Sequence, residues 1–131
     1  MQEILKKVIE SCGTPCFVYF FDQVFQRISE INDAFENRFQ ISYAIKANPN
    51  PAILSRLVDL IPFLDVSSSG ELDIALKAGW GGNRISFTGP GKKDSELTFA
   101  IQNQIGEIVL ESVAEAERLN ELAMQHGRRQ S

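Results

Sequence analysis

The sequence predicts an α/β fold built on a parallel sheet, and three observations carry that prediction. Four short apolar runs, ISYAIK (41–46), FLDVS (63–67), RISFT (84–88) and EIVLE (107–111), begin 22, 21 and 23 residues apart. Each is followed by a stretch whose apolar residues recur at helical spacing. Each of those stretches opens on a helix-start signal. Repeated strand–helix units place strands side by side in parallel through right-handed crossovers. Periodicity alone leaves a doubly wound sheet and a closed barrel both open. The leucine-rich signature L-x-x-L-x-L-x-x-N is missing, which argues against a solenoid of similar period.

The elements come in order. The opening MQEILKKVIE is amphipathic, with Ile4, Leu5, Val8 and Ile9 at helical spacing, and lacks the pattern of a signal peptide. TPCFVYF (14–20) reads as an extra strand before the repeat. A helix comes next, with Val24, Ile28, Ile31 and Phe35 on one face. After the first run, Asn50-Pro51 is a cap and first-turn pair leading into Ile53, Leu54, Leu57 and Leu60. Ser68-Ser69-Gly70-Glu71 has capping-box spacing, leads into Leu72, Ile74, Ala75 and Leu76, and closes at Gly79. Asp94 is expected to cap the helix of Leu97, Ala100 and Ile101. Ser112-Val113-Ala114-Glu115 is a second capping box, opening the helix of Ala116, Leu119, Leu122 and Ala123.

Composition narrows the class. The 131 residues suit one domain, and 44% hydrophobic with 23% charged is a globular balance. A net charge of −4 and a pI near 5.0 argue against nucleic acid or an anionic membrane as the partner. No apolar run reaches the roughly 20 residues of a membrane span. Arg128-Arg129 reads as a frayed tail. Cys12 and Cys16 are the only cysteines and His126 the only histidine, too few to complete a metal site. Reduced thiols in a cytoplasmic protein are the expectation.

Lys46 is the sharpest candidate for chemistry. In ISYAIK, alternation sends Ser42, Ala44 and Lys46 to one face and the bulkier Ile41, Tyr43 and Ile45 to the other. The bulky set is expected to meet the helices, leaving space around the amine. Asp65 falls on the next strand, and both groups lie near the carboxyl ends of parallel strands, where ligands bind in barrels and open sheets alike. On burial grounds Lys46 also reads as a snorkelling side chain; the chemical reading is a lysine that condenses with an aldehyde, held by Asp65 through charge and a hydrogen bond. Ser68 reads as an anion-facing or a capping hydroxyl, and Glu71 as a capping partner or a group reaching a ligand. TGPGKK (88–93) lacks the G-x-x-x-x-G-K-[ST] spacing of a phosphate loop. Neither Glu111 nor the exposed His126 carries a specific signal.

Taken in order, TPCFVYF, YAIKANPNPAIL, FLDVSSSGELDIALKAG and ISFTGPGKK resemble the amino-terminal part of the fold-type III, pyridoxal-phosphate-dependent amino acid decarboxylases, the ornithine/diaminopimelate decarboxylase family. The similarity covers roughly residues 14–120. Alanine racemases share the fold and a similar lysine, but continue with a Tyr-Gly-His segment where this chain has Pro49-Asn50-Pro51. The resemblance implies a (β/α)8 barrel, with residues 1–131 its amino-terminal, half-barrel portion and the carboxy-terminal β-domain not represented. It implies that Lys46 forms the Schiff base with pyridoxal 5′-phosphate, with Asp65 beside it and Ala44 on the strand leading to it. Glu71 would approach the cofactor, and Ser68 would support the same loop. Lys92 and Lys93 receive no role. The implied reaction is decarboxylation of a diaminopimelate- or ornithine-like amino acid, in a cytoplasmic enzyme that is a homodimer at full length.

A complete barrel of this kind needs about 250 residues. The ring-stacking histidine, the glycine-rich phosphate loop and the acid facing the pyridine nitrogen are not matched in these 131 residues. The piece alone is therefore expected to be inactive, and to self-associate or be marginally stable through open strand edges and uncovered apolar faces. Two alternatives stand beside the decarboxylase: a non-catalytic pyridoxal-phosphate-binding barrel, and a half-barrel that works only with a partner chain.

Overall fold

The computed structural model describes residues 2–131. Helix α1 (Gln2–Cys12) forms as its periodicity predicts, yet it buries no residue, and Ile4 and Ile9 stay about half exposed. The stretch 14–20 forms no strand, which corrects the expected extra strand. Its β-rich composition expresses a local preference, and a strand also needs a neighbour to complete its ladder. The segment is tied down by a side chain instead: Asn48 Nδ2 donates to the Tyr19 hydroxyl at 2.7 Å. Helix α2 (Phe21–Ala34) then packs Val24 and Ile28 against the core, while Ile31 and Phe35 remain exposed.

The repeat gives a four-stranded, all-parallel sheet in the order β1 (Ser42–Ala44), β2 (Phe63–Val66), β3 (Ile85–Phe87) and β4 (Glu107–Ile108). Crossovers are made by α3 (Pro51–Leu57), α4 (Ser69–Lys77) and α5 (Asp94–Gln102), and α6 (Val113–Gln125) comes after β4. Pairing is more regular than the run starts suggested. Ala44 pairs with Asp65, Asp65 with Ser86 and Ser86 with Glu107, each step 21 residues.

Strand alternation separates the two faces cleanly. Leu64, Val66, Ile85 and Phe87 are at most 1% exposed and pack under the helices against Leu54, Leu72, Leu97, Ala100 and Ile101. Ser42, Phe63, Asp65, Ser86 and Glu107 lie on the other face, partly or largely open to solvent. Trp80 locks two units together, its indole N–H donating to the Leu54 carbonyl at 3.1 Å. Arg84 stacks over the Trp80 ring and donates to the Val58, Ile61 and Pro62 carbonyls, satisfying the chain end beyond α3.

Most caps form as read. Asn50 accepts from the Ala52 amide, Ser68 from Glu71 and Ser112 from Glu115. Asp94 does not cap α5. It is the first helical residue, Lys93 takes the cap position, and Glu96 supplies the carboxylate to the Lys93 amide. Asp94 pairs with Arg118 instead, at 2.7 Å. The tail is docked rather than frayed: the Ser131 backbone oxygen accepts from the Ile108 amide, and Gln130 donates to the Ile105 carbonyl.

Candidate active site

The polar groups gather where the register puts them. Ala44, Asp65, Ser86 and Glu107 form one row across the four strands, on the face away from the helices. Past the strand ends the chain carries Lys46, Ser67 and Thr88, each two residues beyond a member of that row.

Lys46 lies in a single 3₁₀ turn, Ile45–Ala47, rather than in the strand itself. Ile45 is fully buried and anchors the turn, while Lys46 is exposed. Asn48 fixes the chain on the far side of the turn. Its side chain accepts from the Asn50 amide at 3.1 Å and donates to Tyr19, and its carbonyl accepts from the Tyr43 hydroxyl at 3.3 Å. Burial holds the Tyr43 phenol above its ordinary value of 10.0, more than the Asn48 bond lowers it. The turn is thus clamped on both sides of an amine that forms no hydrogen bond or ion pair among the described residues.

Asp65 does not make the hydrogen bond to Lys46 expected of it. Its Oδ2 accepts from the Thr88 hydroxyl at 3.2 Å. Burial pushes the Asp65 carboxyl above 3.8, partly offset by Thr88 and by the nearby Lys46 charge, while Glu71 and Glu107 add to the rise. Lys46 therefore acts on Asp65 through space. Ala44, half-buried, stands beside Asp65 in the row and carries the smallest side chain there.

Ser68 and Glu71 are brought to the same edge, and both are occupied by capping. Ser68 Oγ accepts from the Glu71 amide at 3.2 Å, and Glu71 Oε2 accepts from the Ser67 amide at 2.7 Å. Glu96 reaches across to the Ser69 amide at 3.1 Å, so the starts of α4 and α5 are joined. Those backbone donors hold the Glu96 carboxyl below its usual range.

Sequence reasoning missed Thr88, Tyr19 and Asn48 as site-forming residues. Thr88 had a usable signal, since it shares the parity of Ser86 and ends the third run at the same edge as Lys46. The contact between Tyr19 and Asn48 spans 29 positions and had none. Lys92, left without a role, is buried at 3% exposure. Cys12 and Cys16 are free and exposed, and no metal-binding cluster exists among the described residues. Nor is any described helix long and apolar enough to cross a membrane.

The donor set suits an aldehyde-bearing ligand with a polar ring: a projecting primary amine, a through-space carboxylate, and small or hydroxyl side chains around them. Comparison with known proteins agrees. Residues 21–128 match the family described as pyridoxal-dependent decarboxylase, pyridoxal binding domain. Diaminopimelate decarboxylase of Aquifex aeolicus is 38% identical over 125 residues, covering 95% of this chain and 30% of that protein. The Campylobacter jejuni enzyme of that name is 40% identical over 119 residues, with 90% and 30% covered. Among solved structures, Helicobacter pylori diaminopimelate decarboxylase complexed with L-lysine superposes with a TM-score of 0.84 at 35% identity, over 94% of this chain and 32% of that one. The chain thus spans about 30% of the length of the curated relatives it matches. A parallel βα half-barrel whose clamped, free lysine projects from the carboxyl edge of its first strand belongs to the pyridoxal-dependent decarboxylase family, within its pyridoxal-binding domain.

Proposed function

We propose that residues 1–131 are the lysine-bearing, amino-terminal part of the barrel of a pyridoxal-phosphate-dependent amino acid decarboxylase. The observation that carries this reading is Lys46: an exposed amine without a partner among the described residues, on a turn held by Ile45 and Asn48, with Asp65 on the adjoining strand. Lys46 would hold the cofactor through its free amine. Asp65 attracts the ammonium without clasping it, so the amine stays free to move. Thr88 orients Asp65, Ala44 places the smallest side chain of the row beside it, and Ser68 with Glu71 sets the wall formed by the start of α4. Pyridoxal phosphate, when bound, supplies an aldehyde and an electron-withdrawing ring that takes up the charge left on an amino acid as carbon dioxide departs.

Diaminopimelate is the substrate we favour, because the similar proteins carrying that activity in their names share 34–40% of their residues with this chain. A homodimer and a cytoplasmic site of action accompany the proposal. The test is chemical. The chain is incubated with pyridoxal phosphate, reduced with borohydride and mapped by peptide mass. Modification concentrated on Lys46 and lost in Lys46→Ala supports the assignment. Label spread over Lys6, Lys7, Lys77 and Lys93, and unchanged in the variant, overturns it.

A further inference from the structure

Among the described residues two charged side chains are fully enclosed, and the proposed chemistry uses neither: Lys92 and Glu115, each 3% exposed. A buried ammonium is costly unless its donors are used. Lys92 Nζ donates to the Gly89 carbonyl at 2.7 Å and to the Val109 carbonyl at 2.6 Å. It lies 3.6 Å from Glu115 Oε2 and 5.6 Å from the centre of the Phe87 ring. Glu115 is fixed in turn, its Oε2 accepting from the Glu111 amide at 2.9 Å, and Arg118 donates to the Lys92 carbonyl at 3.0 Å. The ammonium therefore ties the loop after β3 to the end of β4 and the start of α6.

That loop begins with Thr88, one residue from the carbonyl that Lys92 holds. The Thr88 amide donates to the Val66 carbonyl at 2.8 Å and its hydroxyl to Asp65. Gly89 is next, at φ +94°, a left-handed conformation with little intrinsic preference to maintain itself, so an outside hold on its carbonyl matters. We propose that Lys92 is a positioning residue: by gripping the Gly89 and Val109 carbonyls it holds the Thr88 hydroxyl against Asp65. Its bearing on catalysis rests on the proposed roles of Lys46 and Asp65, whereas the mechanical link does not.

Asp65 reports the link. The groups facing it are Lys46 from the turn after β1, Glu71 from α4, Glu107 from β4 and Thr88 after β3. Lys92 reaches Thr88 through Gly89 and Glu107 through Val109, but the two act with opposite sign: losing the Thr88 bond raises the Asp65 midpoint, whereas drawing the Glu107 charge away lowers it. Thr88→Val removes the hydroxyl with little change of shape. It should raise the Asp65 titration midpoint, followed by carboxyl carbon NMR, by about half to one pH unit, the worth of one such hydrogen bond. Lys92→Met, which fills the same space without donors, should raise it by a similar amount. The double variant should shift no further than either single one. General loosening moves the midpoint the other way, toward 3.8, because it admits water to Asp65.

An unchanged midpoint in Lys92→Met, with Thr88→Val shifted, overturns the proposal, as does an additive double variant. An unshifted Thr88→Val overturns it regardless of Lys92. If Lys92→Met loses its fold by circular dichroism, Lys92→Gln is read by the same two outcomes. No cofactor enters these measurements, so failure of the Lys46 assignment shows in the borohydride map and leaves this result standing.

Discussion

Gly106→Ala and Gly70→Ala make the same chemical change and should move stability in opposite directions. At Gly106, a built Cβ would sit 2.6 Å from the Asn83 carbonyl oxygen, with further backbone atoms at 3.2 and 3.3 Å. Ordinary contact begins at 3.4 Å, so the two chain segments would have to part by about 0.8 Å. They cannot do so freely, because the Gly106 amide is shared between the Gly82 and Ile85 carbonyls, both at 3.0 Å. Overpacking costs about 1–3 kcal/mol and an orphaned amide about 1–3 kcal/mol. The lower entropy of the unfolded alanine chain returns about 0.4–1 kcal/mol. Taking the middle of each range, the expected net loss is about 3 kcal/mol.

At Gly70, in the first turn of α4, the nearest atom is Ser68 Oγ at 3.9 Å, and alanine should gain about 0.5–1 kcal/mol. Urea unfolding followed by Trp80 fluorescence measures both. Trp80 is the only tryptophan, is 2% exposed, and bridges two of the repeating units. With a mid-range slope of about 2 kcal/mol per molar urea, Gly106→Ala should lower the midpoint by about 1.5 M. A Gly106→Ala midpoint at or above that of the parent would refute the close approach of Gly106 to Asn83, where the chain enters β4 and β3.

Three further outcomes are expected. Asp65 holds its proton more tightly when folded, so its contribution to stability is complete below 3.8 and declines as pH rises through its raised folded value. Asp65→Asn should therefore gain on the parent as pH is taken from acid to neutral, and a constant difference in unfolding free energy would contradict the burial argument. Glu96 is the opposite case: lowered by the Ser69 and Lys93 amides, its contribution exists above 4.5 and fades as pH falls through its folded value. Glu96→Ala should cost about 1 kcal/mol at neutral pH and less in acid, as measured by denaturant titration at each pH. Arg84→Ala, which frees three carbonyls and the Trp80 face, should cost about 2–3 kcal/mol by the same assay; a loss under about 0.5 kcal/mol would make the cluster ornamental.

Much of the site was legible because the fold repeats. The strand–helix repeat placed Lys46 and Asp65 near the carboxyl ends of adjacent strands, and the register of the structure puts Asp65 level with Ala44, two residues before Lys46. The caps at Asn50, Ser68 and Ser112 were legible for a similar reason, since each is a contact within four residues. Asp94 failed as a cap because Glu96, two residues on, competes for the same turn and also reaches Ser69 in a neighbouring unit. The stretch 14–20 failed as a strand because composition carries no information about whether an edge is there to pair with.

From residue 41 onward the sequence by itself determined the strand–helix order, the buried and open faces of each strand, and the placing of Lys46 at the carboxyl edge, since all of these derive from periods of two, 3.6 and about 22 residues. Only the tertiary structure decided that Thr88 rather than Lys46 bonds Asp65, that Asn48 reaches back to Tyr19, and that Lys92 is enclosed between Gly89, Val109 and Glu115. The physical reason is distance along the chain. Periodicity fixes which way a side chain points, whereas its partner depends on what the folded layers bring within hydrogen-bond reach from some 20 to 30 positions away.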